Sequence, residues 1–332
     1  MTIFDFSWRD HCDRFASEGW VHVTGGVAPA FLDTVRCFID RAIGSPSLSG
    51  PLIRGPKDQL LFEFPESIDL GGDLFDVVAP LTGLRRATMT LAERHIKMYA
   101  HDADPEPMPH KDRLSSQIAL GISVEVPAGS HVVLYPHDER DVNPYYVSTG
   151  LRESLEPEAL PEVTLRDAAK VEVHDAPGDV IVFRGSSIWH LRRRSAGTVI
   201  LYLKMNDFDS DPLGEDPSTA TRREETARAL CANGEYFAAS VVVLARRFDS
   251  VQHNHGRGGL ELRAAVVAGE PPVPLSDAEA AVLRAVDGHT PCAVLTTRTE
   301  GFDAGAAQQA IRRLAARGVL DLLSPPPRGA AR

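Results

Sequence analysis

A mainly β fold with flanking helices, a sandwich or jelly roll, is predicted by three observations on the 332-residue chain. Short segments between residues 94 and 205 alternate with a period of two, the spacing of side chains on a strand. Proline- and glycine-bearing turns separate them, where a parallel βαβ sheet would need helices. Upstream lies an amphipathic helix suited to packing on a sheet.

In chain order, residues 8–18 read as a short helix, with Ser7 and Asp10 as a capping box and Gly19 as its left-handed stop. The strand-like WVHV follows. Phe31, Val35, Phe38, Ile39 and Ala42 then form one apolar stripe of a helix that stops at Gly44. From about residue 94, His95, Lys97 and Tyr99 share one strand face, with Ile96, Met98 and Ala100 on the other. The alternation returns in 117–126, 131–135, 180–183 and 198–205. The connection 138–167 is long for a turn and suits a lid or substrate loop.

Residues 207–217, rich in Asp, Pro and Ser, read as a linker, which divides the chain into a domain over 1–210 and a second over 218–332. In the second, Ser276 and Glu279 form a capping box for a helix that runs to Gly288. Another helix follows Thr290. A third starts after Asp303 and stops at Gly318, before the strand-like VLDLL; three helices and a strand suggest a winged helix.

The composition, 43% hydrophobic and 24% charged, is that of a folded globular protein. A net charge of −11 argues against a nucleic-acid backbone as partner, since such affinity comes from Lys and Arg neutralising phosphates. Cys12, Cys37, Cys231 and Cys292 lie far apart without a CxxC pair, which suits reduced thiols in the cytoplasm. The N-terminus lacks the pattern of a secretory signal, and the longest apolar stretch, 238–245, is far short of the roughly 20 residues of a membrane span.

The chemistry-bearing residues are His110 and Asp112, an HxD pair, and His190, 80 residues later in GDVIVFRGSSIWH, just after a strand. Two imidazoles and a carboxylate on one face of iron leave positions for a bidentate cosubstrate and dioxygen. Residues i and i+2 of a strand point the same way, so both members of the pair can enter a barrel. His137 and Glu139 form a rival HxE pair, but starting there leaves too few strands before His190. His253 and His255 in HNHG have no partner cluster and read as a loop.

The order FASEGWVHV, amphipathic helix, HIKMY, PHKD and GDVIVF before His190 resembles phytanoyl-CoA dioxygenase-like Fe(II)/2-oxoglutarate oxygenases over roughly residues 10–206. The resemblance implies a double-stranded β-helix of the jelly-roll, cupin-like type, with His110, Asp112 and His190 as iron ligands. It implies hydroxylation of an unactivated carbon, with 2-oxoglutarate and dioxygen as cosubstrates. Retention of Asp112 argues against halogenation, because related halogenases replace that carboxylate with a small residue.

Many relatives carry an Arg after the distal His where this chain has Leu201. Arg192, Arg193 and Arg194 come early for that role. Lys204 is a better anchor for the distal carboxylate of 2-oxoglutarate, because Thr198, Ile200, Tyr202 and Lys204 share one strand face. Lys97, which matches a lysine of the relatives, is the other, and Thr198 completes the expected cosubstrate residues. The family's PGSH turn is matched only in part, by AGSH at 128–131 and YPHD at 135–138; His131, His137, Arg113 and Asn143 are candidate pocket residues.

The expected substrate is a small metabolite, an amino acid or biosynthetic intermediate, free or on a carrier, and a homodimer is left open. One alternative is a peptide or protein hydroxylase of the ribosomal-oxygenase type, since winged-helix tails follow such enzymes. Another is a ligand-sensing barrel with a DNA-binding tail. Residues 271–332 hold seven arginines against six acids, a weak basic footprint for that role.

Overall fold

The computed structural model describes residues 1–44, 57–137, 141–147, 149–232, 234–255 and 261–324. Glu139, the end of the YPHD match and the arginines at 328 and 332 lie outside them. The chain forms two compact units, Met1–Asp209 and Ser210–Arg332. No described helix is long and apolar enough to cross a membrane.

The first unit begins with a 3-10 turn, Trp8–Asp10, and α1 (Cys12–Glu18). The expected single helix is interrupted at His11, whose backbone is not helical, and the Ser7 side chain makes no cap. Gly19 does close α1 in the left-handed conformation, φ 77°. Next come β1 (Trp20–Val23), α2 (Pro29–Gly44), β2 (Lys57–Leu61), α3 (Asp76–Thr82) and β3 (Thr90–Tyr99). They are followed by β4 (Ile118–Glu125) and β5 (His131–Tyr135). The long connection contains two single-turn helices, α4 (Gly150–Glu153) and α5 (Pro161–Thr164). Then come β6 (Val171–Val173), β7 (Val180–Phe183), β8 (Trp189–Arg193) and β9 (Val199–Asn206).

Two antiparallel sheets result, ordered β1-β7-β4-β9-β3-β2 and β6-β5-β8. Successive strands alternate between them: β4 in the large sheet, β5 and β6 in the small one, then β7 large, β8 small and β9 large. Two antiparallel sheets linked in this way form a sandwich of the jelly-roll kind. Trp20, Ala119, Val132, Leu134, Ile181 and Phe183 pack between the sheets. The other face of the large sheet, with Leu201, Leu203 and Met205 from β9, packs against Phe31 and Val35 of α2 and Val78 of α3. Truncating a fully buried ring such as Phe31 to Ala costs about 3–5 kcal/mol. Strict alternation therefore leaves Ile200, Tyr202 and Lys204 for the opposite face, toward the interior of the barrel.

In the second unit, Asp211 is fully buried and accepts hydrogen bonds from the Glu215 and Asp216 amides and the Thr219 hydroxyl. The stretch expected to be a plain linker is thus an ordered lead into α6 (Pro217–Cys231). It continues through α7 (Gly234–Ala239), β10 (Val241–Leu244), β11 (Phe248–His255), β12 (Glu261–Val267) and β13 (Val273–Pro274). The unit ends with α8 (Asp277–Ala285), α9 (Cys292–Arg298), α10 (Ala304–Ala316) and β14 (Leu320–Leu323), which pairs with β10. The Ser276 and Glu279 box forms in both directions. His253, expected in a loop, lies in β11 opposite Arg263 of β12.

Candidate metal centre

The segment carrying HxD does not form a long strand. His110 instead makes an isolated antiparallel bridge to His190: each donates its amide to the other's carbonyl, at 3.0 and 2.9 Å. His190 follows the strand β7, as expected, and lies within the next strand, β8. Two residues on, the Asp112 amide donates to the Gly185 carbonyl at 2.9 Å, and the Asn143 side-chain amide donates to the Asp112 carbonyl at 2.9 Å. Backbone pairing thus brings the His110 and Asp112 pair together with His190, which is distant in sequence. One ligand atom from each lies within 4.8 Å of the other two.

The donor set fits a metal ion. His190 Nδ1 lies 2.9 Å from the Ile188 carbonyl, which can only accept, so Nδ1 carries the proton and Nε2 keeps its lone pair. That Nε2 is 3.8 Å from Asp112 Oδ2, a buried oxygen without a hydrogen-bond partner among the described residues. A buried polar atom left in this way is costly unless something else satisfies it. His110 presents an accessible edge, yet its ring is packed closely enough that burial, then the neighbouring His190, holds its pKa well below 6.5. Burial likewise lowers that of His190. Burial alone would raise the Asp112 carboxyl, but Lys204 and the two imidazoles hold it well below the usual carboxylate range. The set at neutral pH is two neutral imidazoles and a carboxylate, all ready to ligate.

The three residues open onto a narrow pocket. Lys97 and Lys204 are in its wall. Lys204 Nζ donates to Asp112 Oδ1 at 2.6 Å and lies 3.6 Å from Glu93, while Lys97 Nζ is 2.9 Å from Glu93 and 5.1 Å from the centre of the Tyr202 ring. Thr198 is not in the wall; its hydroxyl bonds Ser130, which also accepts from Arg192. Of the other candidates, Asn143 sits behind Asp112, and Arg113 lies 3.8 Å from Glu93. His131 bonds the Gly129 carbonyl and His137 approaches Glu18. None of these four lines the pocket.

Four participants were not singled out from sequence. Glu93 is buried beneath both lysines, which with Arg113 outweigh burial and hold its carboxyl far below 4.5. Arg192 lines the wall, fastened to Asp175 at 3.0 and 2.8 Å. It follows His190 by two residues, so the period of the strand was the signal that it faces the barrel. Tyr202 and Lys57 complete the polar wall, and only Tyr202 shared a face with a named candidate.

No protein-family model matches the chain, and no curated protein matches it. Solved structures similar to it include the α-ketoglutarate-dependent carbocyclase SnoK from nogalamycin biosynthesis, at 14% identity over 61% of this chain and 86% of that one, TM-score 0.45. EctD from S. alaskensis with bound Fe shares 12% over 60% and 76%, TM-score 0.44. HygX from Streptomyces hygroscopicus with nickel and 2-oxoglutarate shares 11% over 61% and 88%, TM-score 0.41. With values this low, the functional reading rests on the residues of this chain.

Proposed function

We propose that the first unit is an Fe(II)- and 2-oxoglutarate-dependent oxygenase of the phytanoyl-CoA dioxygenase-like type that hydroxylates an unactivated C–H of a small metabolite. The observation that carries this is the cluster His110, Asp112 and His190 at the head of a pocket rich in cations, with one Asp112 oxygen lacking a partner among the described residues. These residues would hold iron on one face, the Ile188 carbonyl fixing the His190 ring and Asn143 fixing the Asp112 backbone. Iron bound with 2-oxoglutarate would supply the oxidising power at dioxygen's expense. Lys97 and Lys204 would bind the cosubstrate carboxylate, while Thr198 would help to hold the neighbouring Arg192 through Ser130. Val132, Ile181, Phe183 and Ile200 form apolar walls that limit water at the reacting carbon. Asp112 occupies the ligand position that a halide would need, so hydroxylation is the expected outcome even in chloride.

Succinate release from 2-oxoglutarate, measured across amino acids and peptides with Fe(II), tests the reading. Substrate-stimulated release that disappears in His110→Ala supports it. Its absence from an iron-loaded protein that does not bind 2-oxoglutarate would refute it.

For the second unit the reading is a winged-helix-like module of architectural role. Arg223 is engaged by Asp321, Arg313 by Glu279 and Arg312 by the Leu230 carbonyl, all within the unit. Arginines so engaged favour architecture over phosphate binding.

A further inference from the structure

The charges of the pocket wall do not balance. Lys97 is held by Glu93, Lys204 by Asp112 and Arg192 by Asp175. Lys57 is the fourth cation of the wall, and among the described residues no acid pairs with it. The preceding stretch, residues 45–56, contains Arg54 and no Asp or Glu. Lys57 Nζ lies 5.9 Å from the centre of the Tyr99 ring, across the register pair Lys57–Tyr99 of β2 and β3. Burial, then the fields of Lys97 and Lys204, pushes the Lys57 amine down to about 8. An anion beside it would reverse that penalty.

We propose that Lys57 receives a carboxylate of the substrate to be oxidised, which makes that substrate an organic acid, amino acids included. The inference rests on the oxygenase reading above. Iron's two positive charges offset the two carboxylates of 2-oxoglutarate, so the surplus at Lys57 survives loading of the site. Position assigns it to the substrate: Lys57 opens the edge strand β2 and is partly exposed, whereas Lys97 and Lys204 are buried on β3 and β9. A cosubstrate seated against the deeper pair leaves Lys57 for the ligand that arrives last. A single spare charge suits a carboxylate better than a doubly charged phosphate.

The test uses the full chain loaded with Zn(II), which is redox-inert, and saturated with 2-oxoglutarate. Reductive methylation of Lys57 is followed by mass spectrometry with acetate or acetamide present, with the more exposed Lys170 as internal control. Acetate should slow methylation of Lys57 at least threefold while acetamide and Lys170 show no such effect. Equal rates in acetate and acetamide would overturn the proposal. In parallel, Lys57→Met should keep its 2-oxoglutarate affinity within twofold, and Lys57→Arg should restore any acid-over-amide preference that Lys57→Met loses in substrate panels. A tenfold loss of 2-oxoglutarate affinity in Lys57→Met would reassign Lys57 to the cosubstrate and overturn the assignment made here. Failure of the wild type to bind Zn(II) or 2-oxoglutarate is a separate result, and it would count against the oxygenase reading itself.

Discussion

His110 and His190 are paired through their backbones, each amide donating to the other's carbonyl, and their rings lie 4.4 Å apart. The separation of the imidazoles is therefore set by main-chain pairing between β8 and the HxD segment, and it does not depend on an ion to gather them. A site built in this way should be largely formed before metal enters, with little change in backbone amide exchange at β8 on loading.

The same economy of space appears at Gly185, where a Cβ would stand 2.7 Å from Asp112 Oδ2 and 2.9 Å from the Ser116 carbonyl. Gly185→Ala must displace the carboxylate or the Gly185 backbone that receives the Asp112 amide. Overpacking of this kind costs about 1–3 kcal/mol. Thermal unfolding should show that loss, and metal titration a weakened site.

Asn143→Ala removes the amide that holds the Asp112 carbonyl. Losing a partner that orients a ligand typically lowers metal affinity about 10–100-fold. The expected signature is weaker metal binding with 2-oxoglutarate affinity of the loaded protein little changed; a loss of both in equal measure would point to general disruption instead.

Glu93 governs the response to pH. Its carboxyl is held far below 4.5, against the opposing effect of burial, by Lys204 and Lys97. A depressed carboxylate contributes stability above its unfolded pKa, and that contribution is lost as pH falls from about 4.5 through the folded value. The imidazoles act at higher pH. His110 and His190 stay neutral in the folded apoprotein below 6.5, where the unfolded chain binds protons, so stability declines from about pH 6.5 downward. Glu93→Gln leaves the buried Lys97 ammonium without its carboxylate, while Lys204 keeps Asp112, and should cost about 3–5 kcal/mol at pH 7. Melting curves of this variant should also show a shallower acid dependence below pH 4.5 than the wild type.

His110, Asp112 and His190 were legible because their residue types and the strand period both point to a shared face. The face carrying Lys97 is legible too, but Glu93, two residues upstream of His95, belongs to it without a motif of its own to mark it. A register irregularity between Leu91 and Glu93 sits where β3 enters that face. Arg192 reads in the sequence as one of three successive arginines, and the continuation of β8 past His190 places it in the pocket wall. Asp175 and Lys57 carry no local signal, since their roles arise from β8 folding beside β5 and from β2 pairing with β3. The Ser7 cap failed where a short 3-10 turn and His11 interrupt the first helix, which a pattern of residue types does not distinguish from a continuous one.

The most direct measurement is anaerobic equilibrium binding of Fe(II) to the apoprotein and to His110→Ala, Asp112→Ala and His190→Ala. One ion per chain is expected in the wild type. Each substitution should weaken binding by more than the roughly 10–100-fold that follows loss of a merely orienting partner. Equal iron affinity in the wild type and all three variants would contradict the assignment of this cluster as the metal centre.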